Sequence, residues 1–579
     1  VQSTLSSILT LLAWLATSAS MGAWVVSAFI RPRTGDRRTG LAGDPLTTIG
    51  GIASLIALAA AVAHVVTGPG TEHTAWIVAA VCSGLAALLS LWKVWESALY
   101  ALLLQAIAIV APVAATEALV PQNHDVTGDA GMVAIVATAV LAGTWAFIRF
   151  VGEGEHEHVV GWRLRFLSTV AGVVIAFCDL LTIALQPGAR WPLDQQPTWH
   201  LIRAIVALAV AALAWLPRRT ASWPAALAGL LLMVASVGTH VAGVALPAAI
   251  LPMDVRTFGY SVAPWPTLRA LALDWRINLF FFTISILAVA LYLFLVAKLH
   301  RQGDHWPLGR TVAWIIGWTL VCCLTSSGVG RYAPASFSVH MFMNLGLNMA
   351  AAMILALGGF ITLVLRANKA HGRNQPAGLR EWVAGTMHSR YLGFIYNPLV
   401  ALAFMTGTYY VFYLTQIYPA SLQWHWLHQF VYLHFLASGY IFYGLIIGVD
   451  QPPHPLPHIG KLGLIIGAMP FHAFFGVILM SKTVVYAEDF LASLGHEWLF
   501  KRGLQHDQWV GAAIAWGGGE FPLFIALIAL LTQWQRQDTT EARRTDRHLD
   551  SGTDQSYDAY NEMMARLAAA DRAAEKSRG

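Results

Sequence analysis

The sequence predicts an all-α, polytopic integral membrane protein: a helix bundle of about fifteen transmembrane helices, with the N-terminus outside and the C-terminus cytoplasmic. Three observations lead there. The 579 residues are 57% hydrophobic and only 12% charged, with a mean hydropathy of +0.58, whereas soluble domains carry about 25% charged residues. The apolar residues fall into runs of roughly 20, the length that crosses a hydrocarbon core as a helix. Connections rich in Lys and Arg alternate along the chain with connections that lack them, as the positive-inside rule requires.

The first run, from about Leu5 to Ile30, is long enough to span and reads as a membrane helix rather than a cleavable leader. Further spans are expected near 47–67, 74–92, 97–118, 131–151, 164–186, 199–216 and 222–248. The pair at 74–118 is joined only by Lys93-Val94-Trp95-Glu96. If it were one long bent helix, every later orientation would invert. Glu96 and Lys93 read as a pair or as snorkelling side chains. A longer stretch around 249–275, rich in Pro and aromatic residues, divides this set from spans near 276–299, 308–326, 336–366, 391–417, 425–448, 460–482 and 508–533. The expected organisation is a transmembrane module over 1–250, a second over 264–533, and a charged cytoplasmic tail over 534–579.

With all fifteen spans counted, "RPRTGDRRTG", "PRRTAS", "KLHRQGDHWPLGR" and "ANKAHGRNQPAGLREW" share one side with the tail "QWQRQDTTEARRTDRH". The segment "AYNEMMARLAAADRAAEKSR" in that tail reads as a solvated amphipathic helix. The formal charge of +5 follows from this loop bias, and no basic module with interleaved aromatics exists to bind nucleic acid. The four cysteines lie in apolar segments without a CxxC spacing, so no disulfide framework is expected.

The informative residues are the polar ones inside the spans. In "SFSVHMFMNLGLNMAAAM", residues 336–353, His340, Asn344 and Asn348 fall at i, i+4 and i+8 and form one stripe. Such groups are costly in lipid and usually face a bundle interior or a cavity. On the expected topology His340 lies one turn inside the outer face. His425 and His428 lie near that face, and His434 deeper on the same helix. His472 lies near mid-membrane, with Met480 two turns further out. His506 and Asp507 sit at an outer mouth, with Glu520 deep in the last span. All of them occupy the outer half of the C-terminal module.

Three chemistries use such a cluster. Imidazole with thioether suits copper, because soft thioethers favour Cu(I). Histidines on facing helices can be axial haem ligands. Histidine with carboxylates can relay protons. Each residue also has a plainer reading. A single intramembrane histidine often makes an interhelical hydrogen bond, and Met341, Met343, Met349 and Met353 read individually as packing residues. Cys322-Cys323 reads as two small core hydrophobes. The glycines of "WGGGE" allow close helix approach or a break. In the N-terminal module His64, Asp179 and His240 map to the outer halves of their helices, where they either line a second ion path or are separately satisfied.

The stretches "HRQGDHWPLGRTVAW", "YAPASFSVHM", "LGGFITLVLRA", "HFLASGYIFYGLIIGVDQ", "PFHAFFGVILMS", "DQWVGAAIAWGGGEFP" and "AYNEMMARL" occur in the order and spacing of the CtaG family of cytochrome c oxidase assembly factors. From about Leu268 to Leu567 the chain resembles that family in its actinobacterial form, where the domain follows a CopD-like copper-resistance module. Span number and position make residues 1–250 similar to that module. The resemblance implies a non-enzymatic protein of the cytoplasmic (plasma) membrane that supplies copper to a haem–copper oxidase, or that tolerates or moves copper.

Carried over by position, His340, His434 and His472 are the implied ligands, with Met343 or Met480 completing a low-coordination Cu(I) site. His428, His506, Asp507 and Glu520 match further polar positions, as the mouth and a balancing charge. The family pattern has a second histidine where this chain has Asn344. Either the site has shifted toward Cu(I) through Met343, or Asn344 marks a structural role. Implied partners are cytochrome c oxidase subunits or a respiratory supercomplex, a copper chaperone, and membrane lipid. The rival readings are a copper transporter using both modules, a structural accessory of the oxidase, and a haem-binding redox protein.

Overall fold

The computed structural model describes residues 2–34, 40–68, 72–117, 123–152, 156–185, 195–242, 252–262, 267–453, 455–494, 503–550 and 556–576. Among them there is no strand, and thirteen helices are long and apolar enough to cross a membrane, with two shorter apolar helices beside them. In lipid a backbone amide finds no water, so a spanning segment must satisfy its peptide groups within a helix or a closed barrel, and these long apolar runs take the helix.

The N-terminal helices are α1 (Gln2–Val25), α2 (Pro45–Thr67), α3 (His73–Leu89), α4 (Trp95–Glu117), α5 (His124–Phe147), α6 (Glu157–Leu185), α7 (Gln195–Leu213) and α8 (Arg218–Val241). The C-terminal helices are α9 (Leu279–Arg301), α10 (Leu308–Ser326), α11 (Phe337–Ala367), α12 (Pro398–Tyr413), α13 (His425–Ile447), α14 (His458–Ser481) and α15 (Leu504–Asp550). A last helix, α16 (Ser556–Lys576), has exposed side chains from Ala559 to Ala574, as expected of a solvated tail.

Several boundaries have local causes. The doubtful pair at 74–118 is two helices. The chain turns between them at Lys93, whose φ of 48° is left-handed, and the Leu41 amide donates to the Lys93 carbonyl at 2.9 Å. At α2 the Asp44 carboxylate accepts from Leu46 N at 3.0 Å and Pro45 fills the first helical position, a common start signal. Ser27 donates to the same carboxylate at 2.7 Å, which ties the end of α1 to the start of α2.

Three expected spans differ in extent. The span expected at 391–417 begins at Pro398, because Asn397 caps Leu399 N at 3.0 Å and a proline ring cannot extend a preceding helix. The span expected at 131–151 begins earlier, at His124, so Asp125 and Asp129 lie in its first turns, where negative charge is favoured. The last span continues without a break through "WGGGE" to Asp550.

Small residues set the closest helix crossings. A side chain on Gly22 or Gly143 would run into the backbone of the other, and one on Gly439 would run into the Asn348 carbonyl. Without a hydrophobic force between helices in lipid, such close packing supplies much of their association. Gly439→Val should therefore lower the thermal stability of detergent-purified protein by ~1–3 kcal/mol or more through overpacking. Gly463→Ala, where a side chain meets nothing, should leave the melting midpoint unchanged.

Candidate functional site

The polar stripe on α11 is buried and bonds to α12 and α13, with Asn344 Oδ1 and His340 Nδ1 left without a partner. His340, Asn344 and Asn348 are each 0% exposed. The Asn344 amide donates to His340 Nε2 and to the Tyr413 hydroxyl, both at 2.8 Å. The Asn348 amide donates to the Phe435 carbonyl at 2.8 Å and to Ser438 Oγ at 3.0 Å, and its oxygen accepts from the Tyr409 hydroxyl at 3.2 Å. A π-helical turn, Gly346–Ala351, carries Asn348. Such turns readjust the phase of a helix face and recur at functional sites.

His340 lies in an aromatic box. Its ring centre is 5.2 Å from Tyr418, 5.9 Å from Tyr413, 6.2 Å from Phe412, 6.3 Å from Tyr432 and 6.4 Å from His428. His428 stacks on Tyr432 at 5.9 Å, and its Nε2 is buried without a hydrogen-bond partner. His472 meets the edge of Tyr409 at 5.1 Å, and its Nε2 is likewise buried and unpaired. His340 Nδ1 is also buried without a partner; buried polar atoms are nearly always paired, so these open imidazole nitrogens beside one polar network call for an explanation.

The other expected site residues lie elsewhere. His434 hydrogen-bonds Thr408 Oγ1 at 3.0 Å and packs beside Phe404 at 4.8 Å. It lines an apolar groove with Phe404, Val411 and Phe430, which are exposed on the bundle flank. Among the described residues no group of three or more His, Cys, Asp or Glu side chains stands close enough to hold a metal ion. The three expected histidines are thus not gathered around one ion. Met343 is fully buried three residues after His340, and Met480 is half-buried against the C-terminal core.

Asp507 is a helix cap. Its carboxylate accepts from Phe337 N at 2.7 Å, from Ser336 Oγ at 3.0 Å and from Ser338 Oγ at 2.5 Å at the start of α11. Its neighbour His506 is half-buried beside Trp509, with ring centres 6.3 Å apart. Glu520 is half-buried, with one unpaired carboxylate oxygen. At the preceding Gly519 the last helix comes so near α14 that a side chain would meet His472 at 3.3 Å.

A cavity of about 40 Å³ connects this region to the N-terminal helices. His428 lines it together with Asp125 and Asp129 of α5, Arg276, Asn278 and His425. Arg276 forks onto Asp125, with Nε donating to Oδ2 at 2.7 Å and Nη2 to Oδ1 at 2.6 Å, and its guanidinium lies 5.1 Å over the Tyr260 ring. His425 Nε2 lies 2.9 Å from Asp129 Oδ1, and Phe280 N donates to Asp129 Oδ2 at 3.3 Å. The Asn278 amide donates to Gln429 at 3.0 Å. Residues from both halves of the sequence therefore line this cavity.

Residues 290–537, which hold the stripe, His428 and His472, match the family model described as cytochrome c oxidase caa3 assembly factor (Caa3_CtaG). The C-terminal half of this chain belongs to that family. Uncharacterised proteins of Mycobacterium bovis and Mycobacterium tuberculosis are each 32% identical over 513 residues, covering 85% of this chain and 75% of theirs. An uncharacterised protein of Mycobacterium leprae is 39% identical over 310 residues, covering 53% of this chain and 47% of its own. No solved structure matches the chain.

Outside the CtaG half, Asp179 is closed off in a buried network. It accepts from Arg203 Nε at 3.0 Å and pairs with His200 Nδ1 at 2.7 Å, while Arg203 reaches Ser236 at 3.3 Å. His64 stacks on Trp76 at 4.1 Å and shares a 2.9 Å hydrogen bond with Ser6. His240 meets Trp14 edge-on at 5.1 Å. Sequence reasoning missed Asp125, Asp129 and Arg276, because "NHDVTGDAG" reads as a loop. The two aspartates four residues apart were the available signal. It also missed "TYYVFY", whose tyrosines bond the stripe.

Two predictions follow from these contacts. Asp507→Ala should cost ~1–2 kcal/mol of stability through the lost cap, and should do so equally with and without added copper, as read by thermal melting. Asp125→Ala and Arg276→Ala should each destabilise by ~1–3 kcal/mol, yet the double variant should cost far less than their sum. A coupling near zero in that cycle would mean that the pair does not join the two sets of helices.

Proposed function

We propose that this multi-pass assembly factor handles copper as cargo, taking the ion through the junction cavity and passing it along the His428–His340 pair. The observation that carries the reading is the buried, unpaired Nε2 of His428 beside His340 in a chamber of tyrosines. Imidazole binds copper in either oxidation state, and Cu(I) accepts few ligands, so a pair of histidines suits it. The lone pair that a metal would take on His340 Nε2 points at the Asn344 amide, a weak partner that an incoming ion displaces. Met343, three residues along α11, offers a soft third donor. A site of two or three ligands releases its ion readily, as delivery requires.

On this reading the mouth is the cavity of Asp125, Asp129 and His425 rather than Asp507 and His506. Glu520 balances charge near His472, and His434 stands outside the path. The N-terminal helices, similar in number and position to a CopD-like copper module, contribute one wall of the mouth. Cytochrome c oxidase is the recipient, at the cytoplasmic (plasma) membrane, and a copper chaperone or the respiratory supercomplex would meet the same face.

The test is copper per chain after Cu(I) loading of detergent-purified protein, read beside oxidase activity in a deletion strain carrying each variant. His428→Ala with His340→Ala should lose bound copper and most of the oxidase activity, whereas His434→Ala should keep both. Copper bound equally by all variants would discard this pair. Lost oxidase activity without any copper binding would favour a structural accessory role.

A further inference from the structure

A second site lies at the arginine-bearing end of the N-terminal helices, apart from the histidine network. A cleft of about 840 Å³ opens where α6 and α8 begin and α7 ends. It is lined by Arg165, Arg218 and Arg219, by Trp162 and Trp215, and by one carboxylate among its described residues, Glu157. Among the described lining residues three guanidinium groups thus stand with one carboxylate.

Arg218 is the informative residue. Its side chain is only 10% exposed, and its Nη2 lies 3.0 Å from Glu157. Its Nη1 is buried with no hydrogen-bond partner. A guanidinium presents its donors in a fixed fork that matches phosphate oxygens, so an open Nη1 in a basic cleft is suited to a phosphate. Arg218 also opens α8, whose N-cap, Pro217, provides no side-chain cap. The partial positive charge of that helix end adds to the same attraction.

The rim shows where the phosphate comes from. Trp162 is 65% exposed and Trp215 63% exposed, Leu216 is exposed beside them, and Phe166 stacks on Trp162 at 5.7 Å. The Arg165 guanidinium lies 5.6 Å over the Trp215 ring. Exposed tryptophans interleaved with arginines at helix ends mark the headgroup level of a bilayer, where an indole lies against glycerol and upper acyl chain. Basic pockets between transmembrane helices hold anionic headgroups there. A free inorganic anion would gain nothing from these apolar walls.

We propose that this cleft binds the headgroup of an anionic phospholipid, with Arg218 Nη1, Arg165 and Arg219 on the phosphate and Trp162 and Trp215 beside the glycerol backbone. The inference does not depend on copper handling.

The experiment is native mass spectrometry of the delipidated full chain titrated with dioleoylphosphatidylglycerol or dioleoylphosphatidylcholine. The wild type should bind phosphatidylglycerol roughly fivefold tighter or more. Arg165→Gln/Arg219→Gln, both exposed positions, should remove that preference without changing the melting temperature. Lys369→Gln/Arg373→Gln, exposed residues of a different loop, should keep it. Equal affinity for the two lipids in wild type, or an unchanged preference in Arg165→Gln/Arg219→Gln, would overturn the proposal. So would full displacement of the lipid by millimolar inorganic phosphate, which would make the cleft a simple anion site.

Discussion

Two carboxylates one helical turn apart, Asp125 and Asp129, hold the functional region of this molecule in place. Each is buried and each is answered from the other half of the chain, by Arg276 and by His425. Charge withdrawn from water must be paired where it is buried, so these contacts fix how α5 meets α9 and α13. The cavity beside His428 is lined by both of those pairs. The stripe on α11 then lies directly behind it.

The stripe follows the same physics with uncharged groups. Tyrosine hydroxyls from α12 reach Asn344 and Asn348, and a serine and a carbonyl from α13 complete Asn348. The close crossing at Gly439 brings α13 near enough for that bond. The region still leaves buried polar atoms open: Asn344 Oδ1, His340 Nδ1 and the Nε2 nitrogens of His428 and His472. Of these residues, His428 lines a cavity shared by both halves, and His472 lies next to Tyr409. The CtaG-family relationship places the chain among cytochrome c oxidase assembly factors, and open imidazole nitrogens are chemically able to take a metal ion or a proton.

Much of this was legible from residue order. Thirteen membrane-length apolar helices were visible in the spacing of charged residues, and two further expected spans are shorter apolar helices. The stripe was visible too, since His340, Asn344 and Asn348 share a face at helical spacing. The role of Asp507 was not. A carboxylate near a helix start in another segment can be a ligand or a cap, and only the 2.7 Å bond to Phe337 N separates the two. The surroundings of His434 were not legible for a related reason: depth along a helix can be counted, but rotation about its axis depends on the neighbours. It turns to Thr408 and the flank, while His428, six residues earlier, turns inward.

By itself, then, the sequence determined what depends on one helix at a time: the all-α class, where most of the apolar helices lie, and the polar face of α11. Those properties come from local hydrophobicity and the 3.6-residue period, and they need no partner. Tertiary structure alone decided which histidines meet, where the cavity opens, and that Asp125 and Asp129 complete a site more than a hundred residues away. These are pairings between helices, and in lipid they are set by close packing and by the demand of buried polar groups for partners. Neither is encoded in the period of a single segment.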